Sequence, residues 1–216
     1  MMSDIYLRLA TLAFISVAFP ALAGDVAVTV TDTANRPIAD AVAELTPDTN
    51  APPLPIRVPS LATIDQRHET FIPLVNLIRK GGQVVFTNND ETMHQVYSFS
   101  DIKQFGFEVH QGERSKPVVF DVAGVAAIGC NIHDQMITYV YVAAAPFARI
   151  SDVHGVVNFT DIPAGSYHLT VWHPRLIPRQ SPPPYLLAMG RENQSIAISI
   201  ALTSPPAMKP MHMSHY

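Results

Sequence analysis

Short runs in which apolar and polar residues alternate recur along this chain, each closed by a cluster of Gly, Pro, Asn or Asp, which is the pattern of strands half-buried in β-sandwiches. Val26-Ala-Val-Thr-Val-Thr31 alternates strictly, Asn35-Arg-Pro37 supplies a turn, and Ala41-Val-Ala-Glu-Leu45 reads as its hairpin partner. Residues 47 to 59 are proline-rich and have no period, so a linker is expected there, set at 51–62. Strand-like runs follow at Phe71 to Ile78, Gln83 to Thr87, Gln95 to Ser98, Phe105 to Val109, Val118 to Val122, Val125 to Ile128 and Ile137 to Val142. Beyond Ala145, Val156 to Phe159 and Tyr167 to Val171 predict strands, with turns at Asp152-Val-His-Gly155 and Asp161-Ile-Pro-Ala-Gly165. The fold class expected is all-β.

The first residues break this pattern. Arg8 precedes an apolar run from Leu9 to Phe19, then Pro20 and Ala21-Leu22-Ala23, which predicts a signal peptide, 1–23, cleaved before Gly24. The run is shorter than the roughly 20 residues that span a bilayer, and the mature chain is expected to be periplasmic with no membrane span. A net charge of −4 leaves no basic footprint for nucleic acid. The single cysteine, Cys130, excludes an internal disulfide framework, so an exported chain carries a free thiol that metal ligation would explain.

That thiol lies in Gly129-Cys130-Asn131-Ile132-His133-Asp134-Gln135-Met136, between two strand-like runs. A thiolate, an imidazole and a thioether at Cys-x-x-His-x-x-Met spacing in one short loop are donors for a soft metal. A second imidazole is available at His94, beside the Asn88-Asn89-Asp90 turn; His110, at a strand end, is its rival. Two His nitrogens, one Cys thiolate and a weak axial Met form the ligand set of a blue-copper electron-transfer site. Gln95 and Asn131 each follow a candidate ligand, and their amides could tie the two segments together.

Asn88-Asn89 to His94-Gln95-Val96, followed by Gly129-Cys130-x-x-His133-x-x-Met136, resembles the cupredoxins of the plastocyanin, amicyanin and pseudoazurin group. Gly-Cys-Asn-Ile-His-Asp-x-Met with Val171-Trp-His-Pro174 further resembles periplasmic proteins labelled plastocyanin-like or methylamine utilization protein. The resemblance implies a Greek-key cupredoxin sandwich over 63–145 and one type-1 copper, Cu(I)/Cu(II), held by His94, Cys130, His133 and Met136. It also implies an electron port at the ring edge of His133. One departure is Ile128-Gly129, where many cupredoxins carry an aromatic just before the cysteine; this implies looser or more hydrated packing around sulfur.

Residues 152–171 resemble carboxypeptidase regulatory-like and transthyretin-like sandwiches, through Asp-x-x-Gly and then Pro-x-Gly-x-Tyr-x-Leu-x-Val. The expected organisation is therefore a sandwich split between 24–50, its first hairpin, and 146–203, with the cupredoxin inserted. A single enlarged cupredoxin is the competing arrangement. Trp172-His173 is a weaker candidate for a second metal or redox site, and the Met/His-rich tail, 204–216, for copper capture.

The functional expectation is a one-electron carrier between redox partner proteins. Copper storage or delivery, and a noncatalytic binding module, are the alternatives. An enzyme is not expected, because a Cys130/His133 nucleophile would need a third group to orient the histidine and a substrate cleft.

Overall fold

The computed structural model describes residues 23–48, 54–133, 135–177 and 180–204. The leader run, part of the proline-rich stretch, Asp134 and the tail beyond Ser204 lie outside them. In chain order the strands are β1 (Ala23–Asp32), β2 (Val42–Pro47), β3 (Leu61–Arg67), β4 (Thr70–Ile72), β5 (Val75–Arg79), β6 (Gly82–Asn88), β7 (His94–Ser100) and β8 (Lys103–Val109). They continue as β9 (Val118–Phe120), β10 (Gly124–Cys130), β11 (Ile137–Ala143), β12 (Phe147–Ile150), β13 (Val156–Pro163), β14 (Gly165–Trp172), β15 (Tyr185–Met189) and β16 (Gln194–Ile200). The all-β expectation holds. Among the described residues no helix is long and apolar enough to cross a membrane.

These strands form four sheets. Residues 61–143 supply β5-β11-β10-β7-β8 and β4-β3-β6-β9, whose inner faces enclose a core of Ile64, Phe86, Val96, Phe120, Ile128 and Val140. The segments on either side supply β13-β1-β16 and β12-β2-β14-β15, around Val28, Leu45, Phe159, Tyr167 and Leu169. Alternation does the work locally: along β1, Val26, Val28 and Val30 are buried and the residues between them only partly so. Each such side chain taken fully from water contributes about 1.5–3 kcal/mol.

The expected hairpin of residues 24–50 does not form. β1 lies between β13 and β16, whereas β2 lies between β12 and β14, so the connection crosses from one sheet to the other. The reason is visible in β2, which is buried on both faces. Ala43 and Leu45 enter their own core, while Val42 joins Val58, Val75, Leu77, Ala143 and Ala148 in a small apolar cluster between the two sandwiches. A strand wanted on both faces belongs inside a sheet facing a neighbour.

The run from Phe71 to Ile78 also divides, with β4 pairing β3 and β5 pairing β11 in the opposite sheet. Pro73, which has no N–H to give to a ladder, stands at the division. β3, β12, β15 and β16 were not foreseen; β3 begins inside the expected linker.

The junction between the sandwiches is also polar. Glu44, 8% exposed, accepts hydrogen bonds from the Tyr141 hydroxyl at 2.6 Å and the Ala145 N–H at 2.6 Å. Burial, with the Glu44 carboxylate beside it, pushes the Tyr141 phenol far above its usual range, so it remains a donor. Trp172 packs against the rings of Tyr139 and Tyr141, with centroids 6.0 and 5.5 Å away. Glu44→Ala would leave two buried donors unpaired and should cost about 1–3 kcal/mol. The expected readout is a lower urea midpoint at unchanged m-value; an unchanged midpoint would contradict this role.

Candidate metal centre

Strand register brings the key side chains together. Cys130 ends β10 directly opposite Val96 of the antiparallel β7. Side chains alternate faces with a period of two, so His94 is the diagonal neighbour of Cys130 on the same inward face. Its Nδ1 lies 3.6 Å from Cys130 Sγ, and both residues are buried, at 0% and 3% exposure. From Cys130 the chain turns outward. Asn131 N–H donates to the Gln95 carbonyl at 3.1 Å and Asn131 Nδ2 to Gln95 Oε1 at 2.8 Å, so these amides do tie the two segments.

His133 then returns toward His94, with ring centroids 5.3 Å apart at 58°. One ligand atom from each of His94, Cys130 and His133 lies within 4.8 Å of the others, a spacing at which one ion can be held. The Met136 N–H closes the loop on the His133 carbonyl at 3.0 Å. The Met136 side chain is 2% exposed, in the same core cluster as Cys130.

His133 supplies a test of fit. Its Nδ1 is buried and has no hydrogen-bond partner among the described residues, although such an atom normally costs about 1–3 kcal/mol. A coordinated ion would satisfy it, and thiolate with imidazole is a donor set that suits copper.

Two carboxylates stand behind the histidines. Asp90 Oδ2 lies 2.8 Å from His94 Nε2, which leaves Nδ1 facing the sulfur. The Asn88 side chain shapes this turn, accepting from Asp90 N–H at 2.8 Å and donating to the carbonyls of Thr92 and Val109, each at 2.8 Å. Burial alone would raise the Asp90 pKa, but the N–H groups of Glu69 and His68 and the His94 ring hold it below the ordinary carboxylate value. Glu69 Oε1 is 3.4 Å from His133 Nε2. Sequence reasoning missed both acids. Asp90 had a signal, four residues before His94 in a turn. Glu69 had none, because the β3–β4 hairpin that carries it was not recognised.

Cys130 is 3% exposed, so its sulfur is shielded from bulk solvent, contrary to the more hydrated packing expected from Gly129. On the opposite face of β10 from the sulfur, a Cβ at Gly129 would come within 2.8 Å of Tyr97 Cζ and Oη, so the cross-strand ring occupies the space over the glycine.

No family model matches the chain, and no curated protein matches it. Among solved structures it is similar to a purple cupredoxin from Nitrosopumilus maritimus, at 25% identity over 38% of this chain and 99% of that one, with a TM-score of 0.35. It is also similar to a copper-containing nitrite reductase from Thermus scotoductus, at 24% identity over 43% of this chain and 23% of that one, TM-score 0.35. An amicyanin from Paracoccus versutus is 16% identical over 46% of this chain and 92% of that one, TM-score 0.34. Residues 61–143 themselves form a β-sandwich, two sheets closed on one core.

The remaining candidates lie elsewhere. His110 sits on an exposed edge, 3.9 Å from Glu108. The Met/His tail is outside the described residues. Trp172 packs at the junction, and His173 beside it is 4% exposed, its Nδ1 accepting the Arg175 N–H at 3.1 Å. Burial, and then the Arg175 guanidinium, hold the His173 pKa down to about 4, against an ordinary value of 6.5. The unfolded chain therefore takes up this proton first, so the contribution to stability is complete above about pH 6.5 and is lost as pH falls toward about 4. Urea unfolding at pH 7 and pH 5 should show a larger loss of stability in the wild type than in His173→Gln; equal losses would contradict this.

Proposed function

We propose that the chain is a periplasmic type-1 copper protein that carries single electrons between redox partner proteins. Its ligands are His94, Cys130 and His133, with Met136 as a weak axial donor. The copper domain, 63–145, stands between the two parts of a regulatory-like sandwich, 24–50 and 146–203, after loss of the leader 1–23. The observation that carries the reading is the meeting of one thiol and two imidazoles within 4.8 Å, His94 and Cys130 buried and His133 half-buried, with the His133 Nδ1 unpartnered among the described residues.

Copper bound there would supply a reversible one-electron couple. The protein residues supply the rest. His94 and Cys130 are fixed by paired strands, so the donors need not rearrange when the charge of the site changes. His94 is fully enclosed, whereas the His133 side chain is 24% exposed and offers the route by which an electron reaches the surface. Weak redox encounters need only small interfaces, and an exposed ring edge suits one.

Cyclic voltammetry of the copper-loaded chain, with copper counted before and after cycling, tests this. The expected result is one copper per chain, a reversible one-electron wave and no loss of metal. Release of copper on reduction would overturn electron transfer and favour storage or delivery.

A further inference from the structure

The tip of the β3–β4 hairpin is built in a way that its role as a connection does not require. Arg67 pairs with Thr70, so His68 and Glu69 form a two-residue turn. Both have positive φ, 52° and 53°, a conformation normally given to Asn-Gly and strained for residues with a Cβ. Asp90 holds this turn: its Oδ1 accepts the His68 N–H, and its Oδ2 accepts the Glu69 N–H at 3.0 Å. The same Oδ2 contacts His94 Nε2 at 2.8 Å, and the tip's own Glu69 reaches the outer nitrogen of His133.

The tip is backed by further hydrogen bonds. Asp65 Oδ1 accepts the Thr87 hydroxyl at 2.7 Å and Asn89 Nδ2 at 2.5 Å, and the Asn89 N–H donates to the Gln66 carbonyl at 2.9 Å. One hairpin tip is thus linked to both histidines of the metal centre, to His94 through Asp90 and to His133 through Glu69.

We propose that this tip is a positioning element for the metal: Asp90 fixes the His94 ring, Glu69 faces the outer nitrogen of His133, and their negative charge favours Cu(II) over Cu(I). The inference rests on the copper reading above. A carboxylate behind a ligating imidazole fixes its tautomer and raises its basicity, and loss of such a partner lowers metal affinity by roughly 10- to 100-fold. Asp90 has the larger effect because its side chain is 10% exposed, whereas that of Glu69 is 65% exposed and screened by water.

The test compares wild type, Asp90→Asn and Glu69→Gln for Cu(II), Cu(I) and Zn(II) affinity, with circular dichroism to verify folding. Asp90→Asn should lose roughly 10-fold or more in Cu(II) affinity and less in Cu(I) affinity. A tenfold change in that ratio is ~59 mV upward in potential, which a merely structural role would not produce. Glu69→Gln, at an exposed position whose backbone N–H keeps its bond to Asp90, should shift the ratio the same way by a few-fold. If both variants match the wild type for all three ions, the proposal is overturned. If wild-type copper shows no thiolate charge-transfer band yet the variants lose Zn(II) affinity, the positioning role stands and the electron-carrier reading falls.

Discussion

The register between β7 and β10 is the constraint on which the centre depends. Cys130 opposite Val96 puts the sulfur and His94 on one inward face. A slip of one residue would turn every side chain of either strand to the other face and part the pair. Val96, Ala126 and Ile128 make such a slip costly, because each would exchange complete burial for solvent. The apolar alternation that folds the sheet therefore also aims the thiol. The asymmetry of the site follows from its ends: His94 sits within a strand and is enclosed, whereas His133 sits on a loop and keeps one edge toward water.

The second sandwich bears on the centre through β11. That strand leaves the Cys loop at Ile137 and ends against the other module, where Tyr141 meets Glu44 and Trp172. Near the loop, Thr138 is wholly buried; its one hydroxyl proton is shared between the carbonyls of Pro73 and Leu74, 2.9 and 3.1 Å away, and its oxygen accepts from Asn76 at 3.0 Å. The strand that closes the loop is thus held at both ends, by a polar knot near Met136 and by the junction beyond Ala143.

The residues that converge were legible in the sequence because chemistry marked them: one cysteine, and histidines flanked by turn residues and β-branched runs. The alternating strands were legible for the same reason, since period two is a local signal. What was not legible depends on pairing partners. Nothing local in Val26–Thr31 and Ala41–Leu45 says that they join different sheets, and Pro73 was the one sign that Phe71 to Ile78 would split. Glu69 reaches His133 only because β3 and β4 turn back beneath the Asp90 loop, a contact between distant segments that no spacing encodes.

The central claim is that Cys130 and the two histidines bind copper together, and the Cu(II) spectrum tests it most directly. Copper-loaded chain should show an intense thiolate-to-copper charge-transfer band in the visible and narrow copper hyperfine splitting in electron paramagnetic resonance. Both should vanish in Cys130→Ser while the circular dichroism of the sheet is retained. Weak visible absorption and wide splitting in the wild type, unchanged by that substitution, would contradict the account.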